Sequence, residues 1–236
     1  EGSLVAENAQ RIRHGVSDLE FGDDFQFWPS AEETQSAQYL MWFYKREVDR
    51  YGVDNVALLT PFRKKSKTGV YSLNAALHDT INPASPEKDE IETGQRVLRV
   101  GDKVMQMKNR DFASNGDIGY ICTSKRDSDG ILVEVDFGDD RVVAYEDVES
   151  LRQLELAYAA TIHKSQGSEY DAVLINIQNM HGKMLNRALI YTAETRAKKQ
   201  VIIVGDWEAV VRAIQTADTK RRNTMLAVRI NDLTKE

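Results

Sequence analysis

Ala157-Tyr-Ala-Ala-Thr-Ile-His-Lys-Ser-Gln-Gly-Ser-Glu-Tyr-Asp171 packs an apolar run, a His, a Gly and a Glu into one short segment. The run from Leu154 to Ala160 is apolar and short, which predicts a buried strand. Thr161 to Ser168 is polar and turn-forming, so its polar groups are expected at the end of that strand. Ala172-Val-Leu-Ile-Asn-Ile177 then predicts a second buried strand. Strand, polar crossover and strand is the layout of an open α/β sheet, whose ligands bind off the carboxyl ends of the strands. A second dense stretch follows, Asn186-Arg-Ala-Leu-Ile-Tyr-Thr-Ala-Glu-Thr-Arg-Ala-Lys-Lys199. It predicts a helix over Leu185 to Ala197 and leads into the apolar strand Val201-Ile-Ile-Val204.

Composition is that of an ordinary globular protein: 236 residues, 42% hydrophobic and 29% charged. That length holds one large domain or two small ones. No apolar run approaches the roughly 20 residues that a membrane helix needs. The chain opens on no signal peptide, and its single cysteine, Cys122, excludes an intrachain disulfide, which together lead us to expect a cytoplasmic protein. Cys122 lies in a strand-like run and is expected to be a small core residue. The net charge of −6 argues by itself against a nucleic-acid binder. Its distribution argues otherwise. Acidic residues gather at Asp18 to Asp24 and Asp127 to Glu149, basic ones at Arg63 to Lys67, Arg96 to Arg110 and Lys220 to Arg222. A local basic groove on an acidic protein still tracks phosphates.

Before the central stretch, residues 1–17 predict a helix, with Gly15 as its cap. Phe25 to Trp28 predicts a strand ending at Pro29. Ser30 and Glu33 have capping-box spacing for a helix to about Arg50, with Tyr39, Leu40, Phe43 and Val48 as its core stripe. Val56 to Thr60 is a short buried strand. It runs into the basic loop Phe62-Arg-Lys-Lys-Ser-Lys-Thr-Gly69 and a helix through Ser72 to Leu77. From Val97 the period changes. Alternating runs at Lys103 to Met107, Ile118 to Ile121, Ile131 to Phe137 and Arg141 to Tyr145 are separated by turns at Asn115-Gly116, Asp129-Gly130 and Gly138-Asp139. These are hairpin signals, and about five short strands suggest a small barrel. Trp207 to Ala217 and Arg221 to Leu233 predict closing helices.

Thr161 to Tyr170 and Leu189 to Lys198 resemble motifs V and VI of superfamily 1 helicases of the RecD-like kind, which include the exodeoxyribonuclease V alpha subunit. The resemblance extends further. Ser3, Asn8, Ala9, Ile12 and Gly15 match the run after motif III of that family, and the Arg63 loop with its Leu-Asn helix resembles motif IV. Val100-Gly-Asp-x-Val104 and Asn115-Gly-Asp-x-Gly119 resemble the entry and later turn of the family's SH3-like barrel. The resemblance implies an α/β, RecA-like (P-loop NTPase-type) domain over residues 1–95 and 151–236, interrupted by an SH3-like barrel over 96–150.

The function so implied is the C-terminal motor half of an ATP-dependent 5′-to-3′ DNA helicase. Such an enzyme hydrolyses ATP with Mg2+ between two RecA-like domains, and an arginine stabilises charge on the transferred phosphoryl group. By resemblance that arginine is Arg196, whose plainer role would be to complement the helix dipole. Arg63 is chosen as a second nucleotide-facing arginine, with Lys64 as the near alternative. Gly167 lets the backbone approach phosphates, and Glu169 matches a residue that faces the nucleotide sugar. Thr161, His163 and Lys164 fall on the DNA-facing side, with a satisfied core histidine as the alternative for His163. No Walker A loop, Gly-x-x-x-x-Gly-Lys-[Ser/Thr], and no Walker B strand occur in the sequence. The chain is therefore expected to begin part-way through a longer enzyme and to be inactive alone. Its expected partners are single-stranded DNA, an N-terminal RecA-like domain and, in the family, nuclease subunits. Two other readings stay open: a separate DNA-binding or scaffolding module that reuses an inactive motor half, and the helicase part of a conjugative relaxase.

Overall fold

The computed structural model describes residues 2–64, 66–93, 96–128 and 130–217. In chain order it forms α1 (Leu4–Arg13), β1 (Phe25–Pro29), α2 (Glu33–Tyr51), β2 (Val56–Thr60) and α3 (Val70–Ile81). A run of short strands follows: β3 (Glu90–Thr93), β4 (Arg96–Arg99), β5 (Lys103–Gln106), β6 (Ile118–Asp127), β7 (Gly130–Asp136) and β8 (Val142–Tyr145). After α4 (Val148–Leu151) come β9 (Leu154–Leu156), β10 (Ala159–Thr161), β11 (Tyr170–Ile177), α5 (Arg187–Glu194), β12 (Ala197–Gly205) and α6 (Trp207–Gln215). The closing helix expected over Arg221 to Leu233, and the basic residues Lys220 to Arg222, lie outside the described residues.

Five strands form a parallel sheet in the order β1-β12-β11-β2-β10. Helices cover both faces, so its strands are apolar throughout rather than alternating. Ala57, Leu59, Val173, Ile175, Val201 and Ile203 point to one face and pack with α1, α5 and α6. Val56, Leu58, Ala172, Leu174, Ile202 and Val204 point to the other, beneath Leu40, Phe43 and Tyr44 of α2 and Leu73 and Leu77 of α3. Tyr39 and Val48 are only partly buried at the margin of that core. No helix among the described residues is long and apolar enough to cross a membrane.

The second sheet is antiparallel, in the order β8-β7-β6-β5-β9, with the β3-β4 hairpin packed beside it. Its own core holds Ile91, Leu98, Val104, Ile121, Val133, Val135, Tyr145 and Leu154. These strands span Glu90 to Leu156, so the limits expected at 95/96 and 150/151 fall inside their run.

Three expectations need correction. The run Leu154 to Ala160 is not one strand. Leu154–Leu156 pairs antiparallel with β5, while Ala159–Thr161 pairs parallel with β2. The buried Asn74 side chain of α3 spans the break: its Nδ2 donates to the Leu156 and Ala159 carbonyls at 2.7 and 3.0 Å, and its Oδ1 accepts from the Ala159 amide at 2.7 Å. Cys122 is exposed rather than buried, because it follows the buried Ile121 and the alternation along β6 turns it outward. The register of β6 shifts between Ile121 and Thr123, and the alternation is broken only beyond Cys122, where Ser124 is buried. Ser30 does not cap α2. The cap position is Glu32, and the Ser30 hydroxyl instead bonds Gln35 and Ser36 side chains at 3.2 and 2.8 Å.

The two sheets are joined by a buried carboxylate. Asp102 is fully buried and accepts from His78 Nε2 at 2.8 Å, Asn82 Nδ2 at 2.7 Å, the Arg99 amide at 2.8 Å and Tyr158 Oη at 3.2 Å. His78 and Asn82 belong to α3 and its cap, and Tyr158 precedes β10. Gly101 has a φ of +90°, and a Cβ there would meet the Asn82 amide oxygen at 3.3 Å. The Gly-Asp pair thus anchors the insert to the parallel sheet.

Candidate functional site

The segment between β10 and β11 carries most of the candidate residues. It leaves the carboxyl end of β10, makes a tight helical turn at Ile162–Ser165, and runs back to the amino end of β11. Ile162 is the apolar anchor, buried among α5 and sheet residues. Ser165 Oγ donates to the Ile162 carbonyl at 2.7 Å and closes the turn. Gly167 has a φ of +89° with open space beside it. A side chain there strains the backbone, which is why glycine stands at this point. His163, Gly167, Ser168 and Glu169 are exposed, whereas Thr161 and Lys164 are half-buried. The core-histidine alternative for His163 is therefore excluded.

The helix carrying the second dense stretch is shorter than expected. Asn186 caps it by accepting from the Leu189 amide at 2.9 Å, and it ends at Glu194. Thr195 terminates it with its hydroxyl on the Tyr191 carbonyl at 2.8 Å, because β12 must begin at Ala197 to pair with Tyr170. Arg196 therefore sits in the junction between α5 and β12. Its Nε donates to the Thr192 carbonyl at 3.2 Å, and one terminal nitrogen donates to the Ser168 carbonyl at 3.1 Å. Lys198 pairs with Glu169 at 3.1 Å and Lys199 with Asp171 at 3.1 Å. Gly167, Glu169 and Arg196 thus form one patch at the amino ends of β11 and β12.

Arg63 and Lys64 lie elsewhere. They follow the carboxyl end of β2, across the length of the sheet from Arg196. The span of β2 alone is about 13 Å by strand rise. Arg63 pairs with Glu155 at 2.5 Å, and Tyr71 Oη donates to the same carboxylate at 2.7 Å. Burial, with Glu155 next, pushes the Tyr71 hydroxyl up from its ordinary value. Arg63 and Lys64 both lie over the Tyr71 ring, at 5.4 and 5.2 Å. Arg63, Thr161 and Lys164 line a common cavity of about 90 Å³ with Met105, Met107 and Glu155. The geometry brings Arg63 to the Thr161–Lys164 group and does not bring it to Arg196.

Sequence reasoning passed over several buried polar residues. Ser36, Gln178, Asn176, Thr60 and Thr68 form a buried hydrogen-bonded ladder behind the carboxyl ends of β2 and β11. His181 donates nothing from Nε2, accepts the Gln178 amide at Nδ1 at 2.9 Å, and is pushed down to about 4 by burial. Glu194 is fully buried, neither carboxylate oxygen has a partner, and burial pushes it up to about 8. Its place one turn after Ile190, on the apolar side of α5, was the signal for its burial. Among the described residues no group of three or more His, Cys, Asp or Glu could hold a metal ion.

Two family models match the chain. Residues 73–137 match the "ATP-dependent RecD-like DNA helicase SH3 domain" and residues 156–204 the "UvrD-like helicase C-terminal domain". Among curated relatives, the ATP-dependent RecD2 DNA helicase of Deinococcus radiodurans is 35% identical over 185 residues, which is 76% of this chain and 24% of the relative. The RecBCD enzyme subunit RecD of Mycolicibacterium smegmatis is 40% identical over 99 residues, 42% of this chain and 16% of that one. The chain thus spans a quarter or less of the length of these relatives. Among solved structures, a Pif1 helicase from Bacteroides in complex with ADP-AlF3 and single-stranded DNA superposes with a TM-score of 0.49 and 17% identity, over 99% of this chain and 54% of that one.

Proposed function

Taking as premise that the chain is RecD-like, an α/β RecA-like domain with an inserted SH3-like barrel, we propose that it is the second motor domain of a cytoplasmic 5′-to-3′ DNA helicase. In this reading Arg196, Gly167 and Glu169 face ATP and its Mg2+, which are held mainly by a preceding RecA-like domain. The observation that carries it is the Arg196 patch. Its guanidinium is held by two neutral carbonyls, of Thr192 and Ser168. Charge-assisted bonds to a phosphate are about twice as strong as such neutral ones. A γ-phosphate presented by the other domain would therefore redirect the side chain without rebuilding the backbone around it.

Thr161, His163 and Lys164 then line the single-stranded DNA track at the other end of the sheet. Arg63, chosen from sequence for the nucleotide, joins this second group in our reading, since it shares the cavity of Thr161 and Lys164, and Lys64 lies beside it over the Tyr71 ring. Nuclease subunits remain part of the proposal only through the RecD relatives. Because the chain supplies the arginine side of the ATP site alone, its own ATPase activity should be negligible with or without single-stranded DNA. Adding the preceding domain should restore DNA-stimulated turnover. Turnover by the purified chain that survives repurification contradicts the reading.

A further inference from the structure

We propose that Phe112 is a stacking platform for one unpaired nucleobase of the strand that crosses the Thr161–Lys164 surface. The inference rests on the single-stranded DNA reading above and adds a residue that the motif resemblance does not touch. Phe112 is 78% exposed, the most exposed of the large apolar side chains among the described residues. It is not a loose residue. Arg110 and Ala113 exchange backbone hydrogen bonds at 2.9 and 3.2 Å, which makes Arg110-Asp111-Phe112-Ala113 a tight turn. Phe112 occupies its third position with a φ of +64°. Turns with a positive φ at that position prefer glycine or asparagine there. A bulky residue held in this region is strained, and such strain collects where a side chain is needed for function.

The surroundings fix the platform. The Arg110 guanidinium lies 4.4 Å from the centre of the Tyr145 ring, and Ala113 is buried beneath the turn. Arg141 reaches the Phe112 carbonyl at 3.4 Å while paired with Asp117 at 2.9 Å. The same loop is tied to the candidate DNA surface, because Lys164 Nζ donates to Asn115 Oδ1. Lys108 is exposed on the loop and offers a second cation for a phosphate. Asp111, next to the ring, repels phosphates. What the ring position favours is therefore the uncharged π face of a base. Stacking of this kind tolerates any sequence.

The test uses the 236-residue chain and short single strands that carry 2-aminopurine at successive positions. The parent should quench one position most, and Phe112→Trp should keep both quench and affinity. Phe112→Ala should lose that quench and bind roughly 5- to 100-fold more weakly. Phe112→Gly should lose binding equally yet melt at a higher temperature, since glycine relieves the backbone strain. Phe112→Ala that binds and quenches like the parent overturns the proposal. So does a loss of binding that tracks a lower melting temperature, which would mark a structural residue or a docking point for protein. A parent chain that binds no single strand removes the DNA reading and this inference with it, whereas normal parent binding with an indifferent Phe112 removes the inference alone.

Discussion

Glu194 sits two residues before Arg196, in the last turn of α5, with no hydrogen-bond partner for either oxygen. Burial of an unpaired carboxylate favours its neutral form and pushes Glu194 up from the ordinary carboxylate value to about 8. The consequence for stability has a definite sign. The folded-state value is raised, so between about 4.5 and 8 the native state holds a proton that the unfolded state has released. Stability therefore falls as pH rises through that window. Glu194→Gln, which cannot ionise, should match the parent near pH 5 and be more stable at pH 8, by on the order of 1–4 kcal/mol. Urea midpoints at the two pH values measure this. An unchanged pH slope in the variant would show that Glu194 is not the group responsible. His181 acts oppositely: its lowered value means stability is lost as pH falls from about 6.5 towards 4.

At the scale of elements, the apolar run Leu154 to Ala160 shows where local pattern stops being informative. Periodicity predicts one strand, because it registers burial and not which sheet provides it. The division is made by Asn74, 82 residues before Leu156 and 85 before Ala159, through bonds that only the folded chain brings together. The end of α5 has a similar cause: helical periodicity continues through Ala197, but the pairing of Ala197 with Tyr170 overrides it. By contrast, the alternating runs from Lys103 to Tyr145 carry their own turn residues, so the inserted strands were readable directly. The Val100-Gly-Asp pattern was readable as a fold signature, and its cause is the fourfold bonding of Asp102. Asp102→Ala should lower the unfolding free energy by about 3–5 kcal/mol, as expected when donors around a buried charge are left unpaired. Denaturant unfolding checks this. A loss under 1 kcal/mol would mean that the insert is held by packing alone.

Across the whole molecule the candidate residues divide between two ends of one parallel sheet. Motif spacing placed Arg63 and Arg196 in the same role, since order along a chain carries no information about which end of a strand a loop occupies. The register of β2 with β10 and of β11 with β12 supplies it. One end then carries Gly167, Glu169 and Arg196, and the other carries Thr161, Lys164 and Arg63. This separation suits a motor in which nucleotide and strand are bound apart and coupled through the sheet and the Ile162–Glu169 loop between them.

The central claim is that Arg196 meets charge developing on a phosphoryl group, and its most direct test is Arg196→Ala in a two-domain enzyme that includes the preceding RecA-like domain. Turnover, nucleotide affinity and melting temperature are measured on the same preparations. A transition-state contact predicts a loss in turnover of roughly 10³–10⁵, with nucleotide affinity and melting temperature nearly unchanged. Arg196→Lys should rescue little, because an ammonium does not reproduce the planar fork. A variant that melts early through loss of the Ser168 and Thr192 contacts, or that hydrolyses ATP within a few-fold of the parent, would contradict the account.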